Sequence, residues 1–346
     1  MKKLFASTTL GAVALAAAAG AQELPKTEIN VVGNLGTTTQ SRLLEAPFWA
    51  EGVTELSDGQ ITARFRPRNE LGLEGPETFG LLADGVMNIT NGALGHQSGR
   101  DPISDGNDLA GMTTSFDEFE AASESFLPVL QDYYRENLGL QLISLLSFQS
   151  QVLYCRDEFA GLQDVEGKRI RTSGASQADF ISYLGGSPID MSFGEVQQAL
   201  DQGVIDCGIT GTLGGYTSHW YEGASYIYSL PINFGAQAYV ANAEWWDGLP
   251  SEVREFLETE INALTDEMWA LNRKENEEGL LCNSTGPCEW GEPAGLTLVE
   301  PTEEDYALQK TAFEEGVLPS WIERCGEECR EGFAETIAPV LDIDMP

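Results

Sequence analysis

The chain has 346 residues, enough for two domains of ordinary size, with 55 acidic against 19 basic residues and a net charge of −36. A field of that sign repels nucleic acid and anionic membranes, so any site for an anionic solute must be a local basic exception. The acids are scattered and 42% of residues are hydrophobic, which fits a folded chain with a solvated acidic surface and argues against disorder.

At the N-terminus, Lys2 and Lys3 precede an alanine-rich apolar run from Leu4 to Ala19. Ala19-Gly20-Ala21 then places small residues where a signal peptidase cuts, so residues 1–21 read as a signal peptide. No cysteine lies near that cut to carry a lipid anchor, and no later stretch reaches the roughly 20 apolar residues of a spanning helix. Export of a soluble mature chain is expected.

Ile29-Asn30-Val31-Val32 reads as a first strand, Thr39 to Leu56 as a helix with Leu43, Leu44, Phe48, Val53 and Leu56 on one broad face, and Ile61 to Phe65 as an alternating strand. A helix over Pro76–Ala83 and a short strand over Val86–Ile89 follow. Strands and helices in alternation predict an α/β sheet with helical crossovers. The rhythm then repeats. A helix is predicted over Glu118–Asn137 and strands over Leu140–Ser147 and Gly167–Thr172. Helices over Ser176–Leu184 and Gly194–Asp201 follow, and Val204 to Cys207 leads back into a sheet. The later chain is mainly helical, over Pro250–Asn272, opened by an imperfect capping box at Ser251 to Arg254, and over Glu303–Trp321.

Six cysteines in an exported chain imply disulfides. By position they group as Cys282 with Cys288, Cys325 with Cys329, and the remaining Cys155 and Cys207. A metal site is the rival reading, but the only histidines are His96 and His219 and no CxxC occurs, so no metal is expected. Enzyme signatures are scarce: there is no GxSxG, HExxH, P-loop or GxGxxG opening a helix, and no catalytic residue or cofactor is assigned. A secreted enzyme working through carboxylates stays as a lesser alternative.

Gly167-Lys168-Arg169-Ile170-Arg171-Thr172 concentrates rare basic residues, three within four positions. On a strand Arg169 and Arg171 share the face opposite Ile170, and a planar guanidinium can hold a carboxylate through two hydrogen bonds. The plainer alternative is a solvated edge strand paired with acids such as Asp164 and Glu166.

The stretch from Gly167 to Thr210 resembles the signature region of the solute-binding proteins of TRAP (tripartite ATP-independent periplasmic) transporters. The matching pieces are Arg169-Ile170-Arg171, Leu184-Gly185-Gly186-Ser187-Pro188, Met191-Ser192-Phe193-Gly194-Glu195-Val196 and Gly203-Val204-Ile205-Asp206. Asp58-Gly59-Gln60-Ile61 and Glu70-Leu71-Gly72 in front, and Trp246-Asp247-Gly248-Leu249-Pro250 behind, extend the likeness over nearly the whole mature chain. It implies an α/β, two-lobed periplasmic binding protein fold with hinge-crossing strands and a long lobe-spanning helix. The expected division is lobe I over 22–150, lobe II over 151–240, and a mainly helical part over 241–346 that returns across both.

The resemblance further implies a periplasmic protein that binds a small organic acid and delivers it to the membrane permease of a TRAP transporter, with a monomer expected. A sensor of the same fold is the alternative. It puts Arg171 on the ligand carboxylate, Phe193 against the ligand body and Asn34 at the pocket. Gln151 stands where many members carry a second arginine, and Thr210 where one branch carries asparagine. Those two changes suggest that Arg171 is the only charged anchor and that the ligand has a less polar body. Asn233 and Trp220 complete the expected ligand set, and Tyr216 and Phe234 are weaker candidates for an aromatic wall. Cys155 and Cys207 flank strands that the family fold places side by side, so the resemblance implies a Cys155–Cys207 bridge, with a buried thiol pair as the alternative.

Overall fold

The computed structural model describes residues 24–346, so the expected signal peptide lies outside the described residues. The strands, in chain order, are β1 (Thr27–Gly33), β2 (Ile61–Pro67), β3 (Ile89–Ala93), β4 (Leu140–Leu146), β5 (Gln151–Cys155), β6 (Arg169–Thr172), β7 (Ser187–Asp190), β8 (Cys207–Gly211), β9 (Tyr226–Asn233), β10 (Gln237–Asn242) and β11 (Thr297–Val299). They form two sheets, ordered β2-β1-β3-β10-β4 and β11-β9-β5-β8-β6-β7.

In the first sheet β1 runs parallel to β2 and β3, while β10 pairs antiparallel with both β3 and β4. Ile29 and Val31 bury on one face and Val32 on the other, as expected of strands covered on both sides. In the second sheet β6 lies parallel to β7 and β8, and β5 is antiparallel to β8 and β9. The chain passes between sheets from β4 into β5 and again from β9 into β10. The carboxyl ends of β1, β3, β4, β6, β8 and β9 all face the seam where those crossings occur, the usual place for a ligand in α/β sheets.

Helix α1 (Phe116–Leu138) shows how the sequence sets an element. The Ser115 hydroxyl accepts from the Glu118 backbone N–H at its start, Gly139 ends it in the left-handed conformation (φ 64°), and Phe119, Ala122, Phe126, Leu130 and Tyr134 bury at helical spacing. Helix α2 (Ala175–Tyr183) follows the basic strand β6.

The long helix α3 (Ser251–Asn283) has 33 residues and is therefore about 50 Å long. Its expected capping box does not form: Pro250 is the N-cap, and the Ser251 hydroxyl donates to the Glu252 carboxylate instead. It also runs eleven residues past Asn272, because its last turns bury Glu275, Gly279 and Asn283, which carry no apolar periodicity. At Gly279 a Cβ would come within 2.4 Å of the Leu213 backbone nitrogen, so glycine permits this close crossing.

Two other expectations shift. The strand read at Val86–Ile89 begins only at Ile89 and runs on through Asn91 and Gly92, polar and small residues that hid it; Val86 is exposed. The helix at residues 39–56 forms, though with wide turns over Ser41–Glu45 and Phe48–Gly52. Disulfides join Cys155 to Cys207, Cys282 to Cys288 and Cys325 to Cys329. The first pair sits directly opposite in the β5–β8 ladder.

Candidate functional site

A chamber of about 100 Å³ lies at the seam and shares Arg68, His96, Arg171 and Phe193 with a wider cleft of about 640 Å³. Arg171 is at the chamber because β6 ends there. Strand β6 is interior to its sheet, so the solvated-edge reading of the basic run does not hold for Arg171, which is only 4% exposed. Arg169, two residues earlier, is solvated, and pairs with Asp206 at 2.7 Å rather than with Asp164 or Glu166. Alternation puts both arginines on one face, but only the second reaches the covered end of the strand.

The Arg171 Nε donates to the Met191 carbonyl at 3.0 Å and one Nη to the Ile209 carbonyl at 2.8 Å. Its guanidinium lies 5.8 Å from the centre of the Trp220 ring. Burial pulls its pKa down to about 10, with Asp190 opposing. It forms no ion pair among the described residues.

Arg171 is not the only cation at the chamber. Arg68 is 5% exposed, lines both cavities, and reaches the Leu73 carbonyl (3.1 Å) and the Asn34 side-chain oxygen (3.5 Å) without an ion pair among the described residues. Burial lowers its pKa, and Glu74 and Glu77 oppose that. His96 lies with the two arginines. Burial first, then the charges of Arg68 and Arg171, depress its pKa to about 3, so the ring is neutral at ordinary pH.

The remaining walls are polar. Asn34, just past β1, donates to the Gln237 amide oxygen and takes its backbone position from the buried Glu45. Gln149 donates through its amide nitrogen to Asn272 (2.9 Å) and Glu275 (2.7 Å), and Gln151 to the Gln149 carbonyl (2.8 Å). Asn233 donates to Asp108 (2.8 Å) and accepts from Gln177 (2.9 Å). Asp108 also accepts from the Phe234 and Ala236 backbones, and burial raises its pKa to about 6. Asp105 accepts from the Ser176 N–H at the start of α2 (3.1 Å), and burial raises its pKa to about 7.

Of the residues singled out in the sequence, Asn34, Gln151, Arg171, Phe193, Thr210 and Asn233 line the chamber. Trp220 does not: it is fully buried behind Phe193 (ring centres 5.4 Å apart) and borders the outer cleft. Tyr216 and Phe234 also stand away from the chamber. Tyr216 packs on Tyr221 and donates to the Glu292 carbonyl, and Phe234 stacks on Phe119 in the core. Sequence reasoning missed Arg68, His96, Asp105, Asp108, Gln149 and Gln177. The usable signal was an arginine just after Pro67 at the end of a strand, and two aspartates in the loop Ser104–Asp108 that no helix or strand pattern claims.

No group of His, Cys, Asp or Glu suited to a metal occurs among the described residues, and no described helix is long and apolar enough to cross a membrane. Two sheets sharing a seam, a lobe-crossing helix and a buried basic chamber between them define a binding protein for a small solute. Residues 33–315 match the family described as bacterial extracellular solute-binding protein, family 7, and the chain belongs to it, the extracytoplasmic solute receptors of TRAP transporters.

Among curated relatives, the C4-dicarboxylate-binding periplasmic protein DctP of Rhodobacter capsulatus is 31% identical over 188 residues, 53% of this chain and 49% of the relative. The chain thus matches about half the length of that protein. Solved structures share the fold. DctP7 of Bordetella pertussis, an extracytoplasmic solute receptor binding pyroglutamic acid, has a TM-score of 0.80 at 19% identity, covering 92% of this chain and 100% of its own. A TRAP solute-binding protein of Desulfovibrio salexigens with bound orotic acid gives 0.81 at 15% identity, covering 92% and 99%. One from Marinobacter aquaeolei, in an apo open structure, gives 0.74 at 23% identity, covering 89% and 99%.

Proposed function

We propose that this protein captures a small organic acid in the chamber, with the ligand carboxylate on Arg171 and Arg68 supplying further positive charge, and hands it to a TRAP permease. The carrying observation is the pair of buried guanidiniums that line the chamber without an ion-pair partner among the described residues. Inside a chain of net charge −36, two such cations are a costly arrangement unless an anion completes them. Three of the relatives' ligands, a C4-dicarboxylate, pyroglutamic acid and orotic acid, are carboxylic acids and support the reading.

Binding proceeds by closure in this account. Solute enters through the outer cleft, the carboxylate meets the fork of Arg171, Phe193 and the Trp220 ring behind it exclude water, and the lowered dielectric strengthens the ion pair. The N–H groups of Arg171 that hold Met191 and Ile209 fix the fork before the ligand arrives, so little side-chain entropy is lost on binding.

The test is a thermal-shift screen of mono- and dicarboxylic, aromatic and sulfonic acids, followed by calorimetry on the best ligand with wild type and Arg171→Ala. The variant should bind at least 100-fold more weakly. Unchanged affinity would remove Arg171 from the site.

A further inference from the structure

The chamber presents hydrogen-bond acceptors as well as cations, and the neighbours of those acceptors fix which way they face. Asp105, Gln149 and Gln151 are each under one-tenth exposed and line the chamber. The Asp105 Oδ2 is held by the Ser176 N–H and the Ser98 hydroxyl lies against the same carboxylate, which with its several lone pairs keeps acceptor capacity toward the chamber. The Gln149 Nε2 must point at the Glu275 carboxylate and the Asn272 oxygen, since both accept from it, and this turns Oε1 the other way, beside Gly211 and Gly214. The Gln151 Nε2 donates to the Gln149 carbonyl, which likewise leaves its Oε1 without a donor among the described residues.

Asp108 shows the contrast. Its Oδ1 accepts from the Phe234 N–H and its Oδ2 from Asn233 and the Ala236 N–H, so it is a structural carboxylate with its capacity used. The chamber-facing oxygens of Asp105, Gln149 and Gln151 are a different case: they keep acceptor capacity that a ligand displacing water from the chamber leaves unpaired unless it brings a donor.

Building on the carboxylate reading above, we propose that the cognate ligand is a carboxylic acid that also carries an N–H or O–H group, received by Asp105 and the oxygens of Gln149 and Gln151. A bare hydrocarbon acid satisfies the arginines and leaves all three oxygens unmet. This reverses the less polar ligand body expected from the sequence, where Gln151 registers as a lost charge but not as a gained acceptor.

Matched acids test this by calorimetry at pH 8, above the Asp105 pKa of about 7 so that its carboxylate is an acceptor: succinate against malate and aspartate, and cyclopentanecarboxylate against pyroglutamate and proline. The best donor-bearing member of one series should bind at least tenfold tighter than its bare counterpart. Which of hydroxyl, amide N–H or ammonium wins then names the donor.

In Asp105→Asn the amide oxygen is claimed by the Ser176 N–H, so an NH2 replaces Oδ1 toward the chamber and the preference should shrink or invert. Gln151→Met removes the second acceptor at nearly constant volume and should also reduce it. Equal affinities in both series, or a preference unchanged in both variants, would overturn the proposal. The methyl esters of cyclopentanecarboxylate and pyroglutamate, run in parallel, keep the donor comparison readable if the carboxylate reading fails. That separate failure would show as ester and acid binding alike, with Arg171→Ala without effect on either.

Discussion

The guanidinium of Arg171 lies over the ring of Trp220, 5.8 Å from its centre, and the same ring packs against Phe193 and Tyr154. Three separate stretches of chain therefore converge to set the position of one charge. Trp220→Leu removes the ring and leaves the arginine chemically intact. The cation–ring contact contributes roughly 1 kcal/mol, so ligand affinity should fall about 5-fold. Loss of the buried ring should also destabilise the protein by about 3 kcal/mol. Denaturant melts and calorimetry below the melting range separate the two effects, and full retention of affinity would show that the ring does not position Arg171.

His96 should make the protein acid-sensitive. Its folded pKa of about 3 lies below the unfolded value near 6.5. Between those limits the unfolded chain binds a proton that the folded chain refuses, so stability contributed by the neutral ring is present above pH 6.5 and is lost as pH falls toward 3. Against His96→Gln, which cannot titrate, wild type should lose a few kcal/mol, on that order, across this window. Parallel pH curves for the two would contradict the assignment.

Asp105 works in the opposite direction. Its folded pKa of about 7 lies above the unfolded value near 3.8, so the folded state holds the extra proton between them. Stability from that proton is present below pH 3.8 and is lost as pH rises through 7. Asp105→Asn keeps an acceptor for Ser176 and has no charge to bury. It should gain stability relative to wild type as pH rises from 4 to 8, and chemical denaturation at those two pH values checks the sign.

The Cys155–Cys207 bridge closes the longest loop of the three, with a sequence separation of 52. Chain entropy assigns it about 4 kcal/mol, against about 2 for the Cys325–Cys329 pair. A Cys155→Ser, Cys207→Ser double variant should lower the denaturation midpoint clearly more than Cys325→Ser, Cys329→Ser. An equal loss from both pairs would point to residual structure in the unfolded chain or to strain.

Much of this molecule could be read from its residues. The β6 strand with its two arginines, helix α1 with its apolar stripe and the Met191–Val196 segment stood out because each carries its signal within a few positions. Arg68, His96, Asp105 and Gln149 did not, for a physical reason. Arg68, His96 and Gln149 lie just beyond the ends of β2, β3 and β4, and Asp105 farther along the chain after β3, all far apart in sequence; only the strand order β2-β1-β3-β10-β4 brings those ends to one seam. The last turns of α3 were hidden in another way: Glu275 and Asn283 are buried by hydrogen bonds to Thr39, Gln149 and Tyr154, and polar burial leaves no periodicity to find.

Strand β10 lies between β3 and β4 and pairs with both, although ninety residues separate it from β4 in sequence. A fragment ending near residue 150 would therefore lack the middle of its own sheet, with two neighbouring strands left facing an empty lane. Residues up to about 150 thus do not make a cassette that could be exchanged alone with a relative. A swap of specificity between such proteins would have to be made in the loops beyond the strand ends, with the interleaved scaffold passed on whole.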